Sequence, residues 1–410
     1  MGNERAIPKL RFPSFNGNWE SRKLGNQMYI KSRIGWQALK KNEDLSTGDY
    51  YLITGTDIDE NTHTVNLNRC SYVSKERYEM DENIQVHEGD IIVTKDGTIG
   101  KVAMVSGLDK PATLNSHLFV LRDLSGKLYN RFLLQLLCSH VFTNFVESTK
   151  TGSTLTGLPQ KTIIEFTFMV PNIEEQKKIS STLDNLDTLI TLQQRKLDQI
   201  REYKKGMLQK MFPKEGETVP EVRFPGFTGE WERRKLRELA EFNPKSILPD
   251  SFEYVDLESV VGTEMLSHRT ESKESAPSRA QRLAQKGDLF YQTVRPYQRN
   301  NYLFEKFDDN YVFSTGYAQM RPYGDGRFLL GLVQTDSFIN TVLDHCTGTS
   351  YPAINSNDLA DIYVYSPMDK TEQKRIGDFL TSLDTLISLH QRKLDQMKEY
   401  KKGLLQQMFV

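Results

Sequence analysis

Residues 175–212 read EQKKISSTLDNLDTLITLQQRKLDQIREYKKGMLQKMF, and residues 372–409 read EQKRIGDFLTSLDTLISLHQRKLDQMKEYKKGLLQQMF. The two stretches agree at 26 of 38 positions, at an offset of 197. In the first copy Ile179, Leu183, Leu186, Ile190, Leu197, Ile200, Met207 and Met211 recur at steps of four and three. That is the period of a helix packed along a coiled-coil seam. The seam is interrupted at Gln193 and Lys204, and in the second copy at the equivalent His390 and Lys401. Leu189, Leu192, Tyr203 and Leu208 widen the apolar stripe beyond a two-helix seam, so they are expected to pack on a domain or on a partner protein. Pro171 and Pro367 stop the preceding strands, and Glu174, Glu175 and Glu372 suit a helix N-terminus.

A shorter repeat lies upstream of each helix. Residues 11–24, RFPSFNGNWESRKL, and residues 223–236, RFPGFTGEWERRKL, agree at 10 of 14 positions, at an offset of 212. The stretch between the repeats is therefore shorter in the second half, and there the halves stop resembling each other. A repeated frame with two different inserts suggests one scaffold presenting two different readers. The division is residues 1–172, first variable domain; 173–212, first long helix; 213–369, second variable domain; and 370–410, second long helix.

Helix length then fixes direction. A forty-residue helix is about 60 Å long, and a domain of this size is about 35–40 Å across. Arg223 follows Phe212 by only eleven positions, so the second domain must sit near the far end of the first helix. It is too small to return the chain to that helix's start. The expected fold is mixed α/β: two similar domains joined by a long antiparallel two-helix coiled coil, with pseudo-twofold repetition and the chain's ends together at the first domain.

Each domain reads in the same order. YYLITGTDI, GDIIVTKDGTIGKVAMV, SHLFVLRD and EFTFMVP are strands in the first, with RFLLQLLCSHVFTNFVEST as one helix between the last two. FEYVDLESV, GDLFYQTV, GYAQMRP and DIYVYSP match them in the second, with RFLLGLVQTDSFINTVLDHC as the helix. The loops differ, and they are polar. Arginine suits guanine, and glutamine or asparagine suits adenine; all three also hold phosphates. The candidate DNA-binding residues of the first domain are Lys95, Thr98, Lys101, Asn115, Ser116, His117, Lys150, Ser153 and Thr154. Those of the second are Gln292, Thr293, Arg295, Tyr297, Gln298, Arg299, Asn300, Ser314, Thr315, Tyr317, Thr349, Ser350 and Tyr351. Residues 268–302 hold seven Lys/Arg and three Asp/Glu, a local excess of positive charge in a chain whose net charge is −1.

The bulk composition narrows the classes. With 38% hydrophobic and 26% charged residues the chain is that of a globular protein, and no apolar window of membrane-spanning length occurs. The charged N-terminus lacks the apolar core of a signal peptide, which leads to the expectation of a cytoplasmic protein. Three scattered cysteines and seven scattered histidines form no metal-ligand spacing, so no metal and no cofactor is expected in this chain. Enzyme motifs are also incomplete. Asn243-Pro244-Lys245-Ser246 lacks the second proline and the aromatic of a methyltransferase tetrad. Residues 97–101 are too short for a phosphate-binding loop. Glu175-Gln176-Lys177 and Glu372-Gln373-Lys374 carry nuclease letters, but they open helices rather than lie on strands. A two-headed structural scaffold is the competing reading, and it gives no reason for unlike polar loops on like heads.

The duplicated RFPxFxGxWExRKL openers, the duplicated EQKxI…LDTLI…QRKLDQ…EYKKG helices and the GDIIVTKDGTIG loop together resemble the specificity subunits of Type I restriction–modification systems, in the form found in Gram-positive bacteria. The resemblance spans both halves. It implies that each domain reads one half of a bipartite, asymmetric DNA site and that the coil sets the unread gap. It implies as partners double-stranded DNA, two modification subunits that methylate adenine with S-adenosylmethionine, and restriction subunits that use ATP and Mg to cleave. The chain itself would be non-catalytic. The second domain departs from the glycine-rich loop, having Arg295-Pro296-Tyr297 in its place.

Overall fold

The computed structural model describes residues 7–33, 39–123, 126–149, 157–348 and 351–410. The chain forms two compact units, residues 1–195 with 391–410, and residues 196–390.

In the first unit a sheet runs in the order Met28–Lys31, Leu118–Asp123, Ile91–Thr94, Val102–Met104, Thr64–Val65, Ile58–Asp59. Side chains alternate across a strand. Ile91, Val93, Phe119 and Leu121 therefore face the helices, while Ile92, Leu118 and Val120 face a second sheet holding Tyr51, Ile53, Val86, Ala112 and Leu114. Burial on both faces is why the run IIVT shows no polar alternation. In the second unit Leu289–Gln292 pairs antiparallel with Tyr317–Pro322. Leu289, Tyr291, Ala318 and Met320 face the helices, and Phe290 and Tyr317 face Val255 and Phe313 of the other sheet. The two units share this layering.

The single helix expected in each domain is two helices. In the first unit they are Asn130–Leu137 and His140–Ser148, and in the second Gly326–Val333 and Asp336–Asp344. Ser139 and Thr335 break them. Each takes an extended conformation, and its side-chain oxygen accepts the amide of Val141 or Phe338. A hydroxyl that satisfies an orphan helix donor starts a new helix as readily as it interrupts an old one.

The long helices are Ile173–Lys210 and Lys370–Met408. Each unit joins the opening turns of one to the closing turns of the other, so the pair runs antiparallel within each unit. Ile179 and Leu183 share a core with Leu404, Met408 and Phe409 in the first unit. Ile376 and Leu380 share one with Leu208, Met211 and Phe212 in the second. The opener tryptophan completes both cores. Trp19 meets Phe132, which meets Phe409 (centroids 6.1 and 5.5 Å apart). Trp231 meets Phe328 and Phe212 (5.8 and 6.0 Å). Leu10 N donates to Gln407 O at 2.9 Å, which places the start of the described chain beside its end.

The openers and helices recur together because they are joined. Arg11 grips the buried Glu175 through two hydrogen bonds of 2.7 Å and caps the carbonyls of Asn16 and Gly17. Arg223 does the same to Glu372, at 2.6 and 2.8 Å, with the carbonyls of Thr228 and Gly229. Gln176 and Gln373 bond the backbone at the strand ends, through Pro171 O and Pro367 O, both at 2.9 Å. The nuclease-like letters thus have structural duties. The lysines that interrupt the seam also have partners, Lys401 with Asp187 at 2.6 Å and Lys204 with Asp384.

Candidate nucleic-acid interface

In the first domain the turn after Ile91–Thr94 carries Lys95, Thr98 and Lys101. Gly97 and Gly100 take φ of +71° and +87°, where an L side chain is strained. Thr94 Oγ1 closes the turn from beneath, accepting from Lys101 N at 2.9 Å and donating to Thr98 O. A second loop is tied to this one. Lys95 N donates to His117 O at 2.9 Å, and His117 Nδ1 lies 3.3 Å from Asp96 Oδ2. Asn115 Oδ1 accepts from His117 N at 3.0 Å. Thr98 and His117 are exposed, while Lys95, Lys101, Asn115 and Ser116 are half-buried. Lys101 is paired with Glu60 at 2.5 Å, so a phosphate would have to compete with that carboxylate. Leu158 N donates to Lys95 O at 2.6 Å, which brings the chain back to the same edge. Lys150, Ser153 and Thr154 lie outside the described residues.

The second domain separates its candidates into supports and exposed groups. Gln292, Thr293, Ser314 and Tyr317 are buried, which corrects their expected place at the surface. Tyr317 stands edge-on to Phe313 (5.7 Å) within the core, its hydroxyl donating to Asp256 O at 3.3 Å. Thr293 Oγ1 donates to Gly316 O at 2.8 Å, and Ser314 Oγ accepts from Gly316 N at 3.2 Å. Gln292 Nε2 donates to Val294 O and Gln298 Oε1, at 2.6 and 2.9 Å. These residues lie at the ends of strands whose both faces are covered, and their polar atoms support the turns there. Arg299 is also held, by Gln334 O at 2.9 Å and Asp336 Oδ1 at 2.5 Å. Asn300 Oδ1 accepts from Gly262 N at 2.8 Å, and Thr315 N donates to Arg279 O at 2.8 Å. Tyr297, Gln298 and Tyr351 are exposed, and Arg295 lies over the Tyr351 ring, 4.5 Å from its centroid. Thr349 and Ser350 lie outside the described residues.

Two supports escaped the sequence reading. Asn301, 1% exposed, accepts from Gln292 N at 2.9 Å and pins the end of the loop to its start. The buried Asp90 and Asp288 each hold an arginine of the neighbouring strand, Arg122 and Arg321. The repeated Gly-Asp before the strand and the arginine near the end of its partner were the available signal. The positive run of residues 268–302 is partly neutralised within the domain, since Arg269 pairs with Asp256 and Glu271 and Arg299 with Asp336. Lys273, Arg279 and Lys286 remain exposed.

Burial pushes the Cys70 and Cys138 thiols up to about 12, Cys70 also feeling Asp57, which keeps them protonated. Asn243 takes φ of +47° just after the strand Ala240–Phe242, and its Oδ1 accepts from Gln319 N at 3.0 Å, so it closes the end of that strand. Among the described residues no group of three His, Cys, Asp or Glu is placed to hold a metal ion. No helix among them is long and apolar enough to cross a membrane.

Two like α/β units, each packed on portions of two long helices and carrying different loops, define a duplicated α/β protein. The chain belongs to the family described as Type I restriction modification DNA specificity domain, which matches residues 16–202 and 228–399. It is 24% identical to a putative type I restriction enzyme MjaX specificity subunit of Methanocaldococcus jannaschii, over 98% of this chain and 95% of that one. It is 23% identical to the MjaVIII specificity subunit of the same organism, over 98% and 94%. The fold is that of a Type I restriction–modification S subunit from M. genitalium, with a TM-score of 0.58 at 16% identity, covering 98% of this chain and 99% of that one.

Proposed function

We propose that each globular domain reads one half of a bipartite, asymmetric DNA site, and that the long helices set the unread gap between the halves. The observation that carries this reading is one frame with two unlike loop sets. Base identity is read by side chains at loop tips, whereas the frame only positions them. In the first domain the readers come from Lys95, Thr98, Asn115, Ser116 and His117, with Lys101 on phosphate. In the second they come from the exposed face of residues 295–300 and from Tyr351. The chain is a non-catalytic guide acting in the cytoplasm.

Two modification subunits dock on the long helices, bind S-adenosylmethionine and methylate one adenine in each half-site. Exposed apolar residues at equivalent positions support two copies of one partner. Leu189, Leu192 and Tyr400 are 54%, 52% and 63% exposed in the first unit, and Leu386, Leu389 and Tyr203 are 43%, 49% and 53% exposed in the second. Large apolar groups left in water at repeated positions mark an interaction surface. Leu208, by contrast, is buried in its own domain. Restriction subunits join the complex and supply ATP- and Mg-dependent cleavage of unmodified DNA.

The test is expression of the chain with a modification subunit, followed by mapping of methylated adenines across the host genome. The expected motif has two specified parts separated by a fixed unspecified gap. A single continuous motif, or methylation that does not depend on this chain, overturns the reading.

A further inference from the structure

The second domain places two arginines at the ends of one short turn, and their surroundings differ. Arg295 and Arg299 take φ of +54° and +55°, flanking the 3-10 turn Pro296–Gln298. Two non-glycine residues in the left-handed region are costly and persist only where the surroundings over-determine them. Here they do. Arg295 N donates to Pro352 O at 2.8 Å, Gln298 N to Arg295 O at 3.0 Å and Arg299 N to Pro296 O at 3.0 Å. Gln334 Nε2 returns a bond to Arg299 O at 3.0 Å, and Gln292 and Asn301 brace the turn from below.

The side chains divide the labour. The Arg299 guanidinium is turned inward, one nitrogen on a backbone carbonyl and another on the Asp336 carboxylate. For Arg295, no carboxylate among the described residues comes within ion-pair distance. Its guanidinium instead lies over the exposed Tyr351 ring. Stacking on an aromatic face holds the guanidinium plane while leaving its edge donors unused. A guanidinium held over an aromatic ring on a rigid turn can meet guanine O6 and N7 with two parallel hydrogen bonds.

We propose that Arg295 determines a guanine in the half-site read by the second domain, that Tyr351 orients its guanidinium, and that Arg299 is a positioning residue that fixes the turn. This rests on the DNA-reading function proposed above. The competing role for Arg295 is a phosphate contact, which carries no base preference.

The experiment is competition binding by the assembled methyltransferase complex over a randomised second half-site, at two salt concentrations, with the first half-site held constant. Unmodified protein must first select a defined second half-site; if it selects none, the DNA-reading function fails rather than the assignment of Arg295. Arg295→Ala is expected to relax one guanine position, by about 5- to 100-fold in discrimination. Arg295→Lys should relax the same position, because lysine cannot bond bidentately. Tyr351→Ala should weaken that preference and Tyr351→Phe should keep it. Arg299→Ala should weaken the same guanine preference by less than Arg295→Ala does, because it frees the turn without removing the reading group. Retained preference for the first half-site shows that each variant is assembled. Uniform weakening by Arg295→Ala, with a salt slope reduced by about one, makes it a phosphate contact and overturns the proposal. So does base relaxation by Arg299→Ala without any by Arg295→Ala.

Discussion

His63 shows how one residue is set by its surroundings. It takes φ of +50°, its Nδ1 lies 3.4 Å from Val102 O, and its own carbonyl accepts from Met104 N. Burial foremost, and then Lys401, hold the imidazole below the ordinary histidine range against Asp187, the Val102 carbonyl and Asp59. The unfolded chain therefore takes up this proton more readily than the folded one. The stability contribution is complete above the unfolded value of about 6.5, and it is lost as pH falls through the lower folded value. Urea midpoints should drop between pH 7.5 and pH 5.5, before most carboxylates titrate. His63→Asn, which tolerates this backbone, should flatten that drop. An unchanged slope would remove His63 as its source. The residue identities behind such sites were legible, but their pairings were not. Arg11 and Glu175 stood out as repeated letters, yet they lie 164 positions apart and only folding brings them together. Tyr317 looked like a contact because polar residues flank it, and covered strands hide that distinction.

At the scale of elements, the long helices were legible almost to their ends, because apolar residues at every third or fourth position suit a packed helix and suit neither a strand nor a loop. The seam's interruptions were visible but not their meaning. Lys401 and Lys204 occupy core-facing positions and each reaches an aspartate of the facing helix. A charged pair inside a seam disfavours shifted registers, which leave the charge buried and alone. A double-mutant cycle on Lys401 and Asp187 tests this. Both are at most 15% exposed, and the expected coupling is about 0.5–3 kcal/mol, read from urea unfolding of the two alanine variants and their combination. Additive effects would reduce the lysine to a tolerated imperfection. The broken helices were harder to foresee, because Ser139 and Thr335 lie where either a continuous helix or a cap fits the apolar pattern.

At the scale of the whole chain, each unit packs its α/β domain on its own portions of the two long helices, across a defined seam. In the second unit Gly331 abuts that seam. A Cβ there would lie 2.7 Å from Leu380 Cδ1 and 3.2 Å from Phe212 Cζ. The matching position of the first domain is Gln135, whose Nε2 instead donates to Asp184 and Asp187 of the long helix at 3.0 and 2.9 Å. The two domains thus meet their helices through different chemistry, tight packing in one and a polar bridge in the other. Exchange of residues 232–369 for the corresponding domain of a relative should change one half of the methylated motif and leave the other half and the gap unaltered. The graft should assemble when the donor has glycine at position 331. A donor with a long side chain there should assemble poorly, because packing in a filled core costs about 1–3 kcal/mol when a side chain is forced in. Methylation mapping of both grafts decides the matter. A change in both halves of the motif would show that the domains do not read independently, and equal assembly of the two grafts would show that the contact at Gly331 is not what limits exchange.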